Sequence, residues 1–358
     1  MNIIEQLRML SEAPGVSGYE GPARELVRSA FAPYADELRT DALGNLIALR
    51  KGRRAEGAPA RSIMLAAHVD EIGLMVTALE GAFIRFTRVG GVDLRTIVGQ
   101  EVTVHAQRDL PGIIATRPPH VLSAEERERP VPLNEMFIDV GLQADQLAQL
   151  VRVGDLITMR RDFIELAEGY ASGKAFDDRA GVVSLAVCLE ALTRLTHSWD
   201  VYAVATTQEE VGIRGATVSA YGVAPDIAIA VDVGFGAQQG VGEQESIKMN
   251  GGPSIAMGPN MHPLMFQRLV STAKTYEMPY QTEVIAGASG TDAWAIQVSR
   301  QGVPTGLLSI PLRYMHTSVE TVCVQDIERT GRLMAWFIAG LDETFAGELG
   351  LEEAVSHQ

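Results

Sequence analysis

From about residue 165 onward, strand-like and helix-like segments alternate, and this alternation constrains the fold more than any other feature. KAFDDRAGVVSLAVCLEALTRL has helical periodicity and VYAVATT reads as a strand. GIRGATVSAYGV is a helix, IAIAVDV a strand, LMFQRLVSTAKTYEM a helix, GLLSIP a strand and VQDIERTGRLMAWFIAGLDETF one long helix. Such alternation predicts an α/β layer fold in which helices cover a central sheet. The opening 50 or so residues read as two amphipathic helices and a short strand. APGVSGYE forms the turn between the helices, with Ser17 as a possible cap. RSIMLAA then adds an apolar strand that stops at HVDE.

Between 75 and 164 the texture changes. AFIRFTRV, QEVTVHA, PGIIAT, MFIDVG and DLITM are short β-rich pieces separated by turns, with little helix among them. That pattern predicts a small β-barrel-like unit. The chain therefore divides into a discontinuous α/β domain, 1–74 and 165–358, and an inserted β-rich domain, 75–164. Within the insert, residues 117–136 carry proline and charge without periodicity and read as a mobile loop.

The net charge of −15 argues against a nucleic-acid partner, which requires a basic surface. No apolar run approaches the roughly 20 residues that cross a bilayer. The N-terminal segment lacks the basic and apolar regions of a signal peptide, so export is not expected. Two cysteines, Cys188 and Cys323, make no disulfide framework, which suits a reducing cytoplasm.

Acidic and histidine residues recur where the apolar strands stop. IMLAA leads to His68 and Asp70, VYAVATTQ to Glu209 and Glu210, IAIAV to Asp232, and LLSIPLRYM to His316. Asp177 and Asp178 stand just ahead of a helix. Open α/β sheets bind ligands at the carboxyl ends of their strands, so these distant segments can share one crevice. Asp177, Glu210 and Asp232, with Glu209 beside them, would concentrate negative charge there. Like charges about 4 Å apart repel by roughly 4 kcal/mol per pair at an effective dielectric of about 20, so the cluster calls for cations. Two divalent ions offset it, and two histidines complete a nitrogen and oxygen set suited to zinc or cobalt. The absence of a cysteine ligand fits a catalytic centre better than a structural one.

Spacing suggests roles. In H-x-D, Asp70 can hold the second imidazole nitrogen of His68 and fix its tautomer. In the E-E pair, one carboxylate can bind metal while its neighbour acts as general base and then as acid to the leaving amine. Each element is weak alone: E-E is commonly solvated surface, and D-D-R commonly a helix cap. Together, five of them at element boundaries are specific.

AAHVDEIG, KAFDDRAG, TTQEEVGIRGA, AVDVG and RYMHTSVE together resemble the tetrahedral-type dinuclear metallo-aminopeptidases. These include glutamyl, leucyl and deblocking aminopeptidases, and some members carry an endoglucanase label. The resemblance runs from about residue 5 to 342. It implies a three-layer α/β peptidase sandwich with a central mixed sheet and an inserted β-barrel or PDZ-like dimerisation domain. It further implies that His68 and Asp232 are the terminal ligands of one metal and Glu210 and His316 those of the other. Asp177 would bridge them, with a cis peptide to Asp178. Glu209 would be the general base, and Asp70 the support of His68. Members commonly assemble from dimers into hollow tetrahedral dodecamers whose sites face inward. In such a shell the 117–136 loop could reach a neighbouring site, and only short peptides would enter.

Further polar residues are open to two readings. Arg313 either binds the substrate carbonyl or carboxylate or forms a structural salt bridge. Asp292 either meets the substrate amine or caps a helix. His105, His120 and His262 are not expected to be ligands, and the methionines of GPNMHPLMF either fill the core or line a substrate wall. The expected activity is removal of the N-terminal residue from short peptides, with two divalent metals, Zn²⁺ or Co²⁺. The nearest alternative is hydrolysis of N-acyl amino acids or other amides at the same site. A non-catalytic metal scaffold is disfavoured because it has no use for a free base. A metal-free glycosidase would need paired carboxylates of opposed protonation and would survive chelation.

Overall fold

A computed structural model describes residues 1–351, and residues 352–358 of the expected 165–358 segment lie outside the described residues. Eleven strands form one mixed sheet. Across it, in order, run Glu37–Thr40, Leu46–Arg50, Asp200–Thr206, Ser62–His68, Ile227–Phe235, Thr305–Arg313, Glu320–Cys323, Tyr170–Gly173 and Ile164–Glu165. Ser254–Met257 and Gln281–Val284 branch from Thr305–Arg313.

Four adjacent strands, Asp200–Thr206, Ser62–His68, Ile227–Phe235 and Thr305–Arg313, are parallel. Their apolar runs are nearly continuous because both faces are covered. Ile63, Leu65 and Ala67 point into the core formed with helices Phe176–Leu192 and Val324–Ala339. Met64 and Ala66 point the opposite way, against Ala216, Ala220, Ala293 and Ile296 of helices Arg214–Val223 and Asp292–Gln297. This period-two division produces three layers, and parallel alignment puts four strand C-termini at one edge. Helix Phe176–Leu192 is buried on almost every side, including Cys188.

The insert closes into a six-stranded antiparallel barrel of Gly73–Glu80, Phe83–Val89, Phe137–Asp139, Asp109–Ala115, Glu101–His105 and Leu156–Met159. Val76, Ile84, Val102, Ile114, Ile138 and Ile157 fill it, and helix Ala144–Leu150 adds Leu147. Segment 117–136, expected to be a mobile loop, contains helix Ala124–Glu128 with a Ser123–Glu126 capping box. Arg117 and Arg129 pair with Glu126 and Glu135 around it.

The long C-terminal helix expected from sequence is two helices. Val324–Ala339 stops at Gly340, and the Asp342 carboxylate accepts from the Phe345 amide at 2.8 Å to start Glu343–Glu348. Ser17 is not a helix cap; Glu20 occupies that position in front of Gly21–Phe31.

One glycine governs the turn that carries Glu209 and Glu210. The Gly215 amide donates to the Thr207 carbonyl at 2.9 Å, and its carbonyl accepts from Asn45 Nδ2 at 3.1 Å. A Cβ on Gly215 would collide with the Thr207 backbone and with Asn45 Oδ1. Gly215→Ala should therefore destabilise the fold by about 1–3 kcal/mol, the usual cost of overpacking. A wild-type thermal midpoint in that variant would show the turn to be slack.

Candidate active site

Six of the acidic and histidine residues singled out from the sequence line one cavity of about 440 Å³: His68, Asp177, Glu209, Glu210, Asp232 and His316. His68 ends its parallel strand, Asp232 lies near the end of another, and Glu209 and Glu210 follow a third. Asp177 and Asp178 are joined by a cis peptide at the start of helix Phe176–Leu192. His316 lies in the turn between antiparallel strands Thr305–Arg313 and Glu320–Cys323.

Two triads emerge. His68, Asp177 and Asp232 each offer one ligand atom within 4.8 Å of the others, and so do Asp177, Glu210 and His316. Asp177 belongs to both. His68 Nε2 is 3.0 Å from Asp177 Oδ1, while His316 Nε2 is 3.3 Å from Asp177 Oδ2 and 3.4 Å from Glu210 Oε1. Both rings turn their other nitrogen to a backbone carbonyl: His68 Nδ1 to Asp70 at 3.2 Å and His316 Nδ1 to Gly91 at 3.1 Å. With Nδ1–H donating, each Nε2 faces the cavity.

The Asp70 carboxylate does more than face His68, whose Nδ1 lies 3.6 Å from Oδ1. Oδ1 accepts the Glu209 amide at 3.0 Å, and Oδ2 accepts the Glu210 amide at 3.2 Å and the Ser17 hydroxyl at 2.6 Å. One fully buried carboxylate thus sets the backbone of both glutamates. Burial alone would raise its pKa, but His68, Ser17 and the Glu209 amide hold it below the ordinary carboxylate value.

The other carboxylates feel their crowding. Burial drives Asp178 and Asp232 well above the usual carboxylate range, with neighbouring acids adding to the effect. Glu209 is pushed up to about 10, chiefly by burial; His68 opposes this, while Asp232, Asp292 and Glu210 reinforce it. His316 rises to about 11 through its hydrogen bonds to Asp177 and then Glu210, against its burial. Asp177 moves the other way, because the His316 and His68 contacts together outweigh its burial. The Asp178 Oδ2 atom is buried without a hydrogen-bond partner. Crowded acids, two imidazoles with Nε2 facing inward and converging ligand atoms form a donor set that fits divalent cations.

The cavity wall contains residues that sequence reasoning did not single out. Ile213, Phe235, Ile285, Leu307 and Met315 supply apolar surface, and Glu283 lies among them with its carboxylate accepting from Ser309 Oγ at 2.8 Å. Beneath the cavity, Glu71 pairs with buried Lys174 at 2.7 Å and with Arg179 at 3.4 Å. Arg179 also donates to the carbonyls of Leu10 and Ala13, tying the first helix to the site. Their signal was available: Glu71, Lys174 and Arg179 are charges inside the motifs HVDEIG and KAFDDRAG, where an apolar core otherwise begins.

Two expected substrate contacts do not line the cavity. Arg313, at the end of its strand, donates to the Ala237 carbonyl at 2.8 Å and lies over the Tyr170 ring. Asp292 is buried. Its Oδ2 accepts from Thr206 Oγ1 at 2.6 Å, and Thr291 occupies the N-cap position of that helix without a side-chain capping bond. His105 bonds Asp109 and Thr158 inside the insert, His120 lies in a turn there, and His262 precedes helix Pro263–Thr275. Met261 and Met265 fill the core.

Comparison with known proteins agrees with this geometry. The family model of M42 glutamyl aminopeptidase matches residues 44–333. A lysyl aminopeptidase of Pyrococcus furiosus is 35% identical over 336 residues, covering 92% of this chain and 94% of that protein. The structure of a TET aminopeptidase from a marine sediment archaeon of the Thaumarchaeota superposes with a TM-score of 0.90 at 33% identity, covering 97% and 99% of the two chains. The TET1 peptidase of Pyrococcus horikoshii, which can assemble into a tetrahedron or a large octahedral shell, gives 0.81 at 31% identity, covering 95% and 100%. The chain belongs to the M42 glutamyl aminopeptidase family and is a peptide hydrolase.

Proposed function

We propose that this protein is a two-metal aminopeptidase that removes the N-terminal residue of short peptides. The observation that carries the reading is the pair of triads sharing Asp177. His68, Asp177 and Asp232 would hold one divalent ion, and Asp177, Glu210 and His316 the other, with Zn²⁺ or Co²⁺ suited to the donors. When bound, the ions supply Lewis-acid polarisation of the scissile carbonyl and favour deprotonation of the attacking water. Glu209 lines the same cavity and, among the described residues, none donates a hydrogen bond to its carboxylate. With the cationic charge of the metals beside it, its raised carboxyl would ionise, take the proton from the water and deliver it to the leaving amine. Asp70 holds the Glu209 and Glu210 amides so that one carboxylate serves metal and the other remains free. The apolar wall receives the first side chain of the substrate.

The inserted barrel would act as a dimerisation domain, and the dimers would build a tetrahedral dodecamer, as the shell of the Pyrococcus horikoshii relative suggests. Among the described residues no helix is long and apolar enough to cross a membrane. A cytoplasmic location would suit the two cysteines, which are free and buried.

The test is a panel of aminoacyl p-nitroanilides and short peptides with free or acetylated N-termini, assayed before chelation, after it, and after Zn²⁺ or Co²⁺ is restored. Cleavage should require the free amine, vanish on chelation and return with metal. Selective cleavage of acetylated substrates would identify an N-acyl amide hydrolase instead, and activity indifferent to chelation would overturn the metal reading.

A further inference from the structure

His316 is an unusual residue on which to build a metal site. It does not end a parallel strand as His68 does; it lies in the turn between two antiparallel strands, with its side chain one-third exposed and φ of +62°. A non-glycine residue keeps a left-handed backbone only where its surroundings over-determine it. The surroundings here come from two parts of the chain. The Glu320 carboxylate accepts the His316 amide through Oε1 at 2.9 Å and the Asp177 amide through Oε2 at 3.1 Å. One buried side chain thus fixes the backbones of two candidate ligands. The second anchor comes from the inserted domain. Past strand Phe83–Val89, the carbonyl of Gly91 meets His316 Nδ1 at 3.1 Å. A little further on, Gln100 Oε1 accepts the Ser318 hydroxyl at 3.2 Å.

We infer that Gly91 and Glu320 are positioning residues of the second metal site, so that the inserted barrel completes the centre as well as adjoining it. The Gly91 carbonyl selects the tautomer with Nδ1–H and turns Nε2 toward Asp177 and Glu210. Glycine is required at 91 for space. A Cβ there would stand 2.5 Å from His316 Nδ1 and 2.7 Å from its Cε1, while the backbone itself is not in the left-handed region. Gly91→Ala is thus a steric probe aimed at one imidazole. This inference rests on the two-metal reading.

The test is titration of the metal-stripped, full-length protein with Zn²⁺, together with thermal unfolding of the metal-free form. Wild type should take up two equivalents. In Gly91→Ala the affinity for one equivalent should fall by about 10- to 100-fold, the usual cost of losing such a partner, while the metal-free unfolding midpoint stays at the wild-type value. Two equivalents bound with wild-type affinity would overturn the inference, as would a uniform loss of both with a lowered midpoint. If Gly91→Ala does not fold, Glu320→Gln is read in the same titration. It leaves one of the two amides without its acceptor, and both equivalents should weaken because Asp177 serves both triads; wild-type binding there overturns the inference. A wild type that takes up fewer than two equivalents would overturn the two-metal reading itself.

Discussion

Glu209→Gln should retain both metal ions and lose about 10²- to 10⁴-fold in kcat, the contribution expected of a positioned general base. Glutamine has nearly the shape of glutamate but offers no carboxylate to accept a proton. The backbone at 209 is held by Asp70 through the amide, which the substitution does not touch. Glu209 lines the cavity but belongs to neither triad. The loss should therefore appear in kcat with KM almost unchanged, the signature of an interaction made only on the way to the transition state. Metal content by elemental analysis and initial rates on a free-amine substrate decide it. Undiminished turnover would remove Glu209 from the mechanism, and loss of a metal would recast it as a ligand.

Asp177→Asn should strike harder at binding. Asp177 is the one residue common to both triads, and its two oxygens face different histidines, Oδ1 toward His68 and Oδ2 toward His316. An amide presents one oxygen and one NH₂ group, so it cannot serve both sides and turns a donor toward one cation. Affinity for both ions should fall by more than the about 10- to 100-fold that loss of a supporting partner costs, and peptidase activity should fall with it. Excess metal should restore activity only partly. A variant that binds two equivalents at wild-type affinity would show that each triad closes without Asp177.

Much of this centre was legible in sequence because strand-ending polar residues are conspicuous against apolar runs such as IMLAA and IAIAV. Once four strands are parallel, their ends share an edge, and His68, Glu209, Glu210 and Asp232 come together there. Arg313 and Asp292 were less legible for a simple reason. Motif proximity does not say that a strand-end side chain will bond a loop carbonyl, as Arg313 does with Ala237, or that a helix start will be buried, as Asp292 is against Thr206. The contacts of Glu320 and Gly91 were hidden more deeply, since they join side chain or ring to backbone across 143 and 225 positions. Periodicity carries no such information. Glu320 did stand in RYMHTSVE, but only the fold reveals what its carboxylate receives. The division of the final helix was signalled by Gly340 and Asp342; the apolar pattern running through IAGLDETF masked it.

The parallel arrangement of the middle strands also bears on when the protein becomes a peptidase. Its proposed ligands are spread from residue 68 to residue 316, and none of the triads can be assembled from one contiguous segment. Each triad draws on three segments far apart in the chain, so neither exists before those segments have come together in the fold. The insert must close, the sheet must order and the last antiparallel pair must dock before His316 can reach Asp177. The second triad thus depends on long-range contacts of both the sheet and the insert, and peptidase activity should follow complete folding.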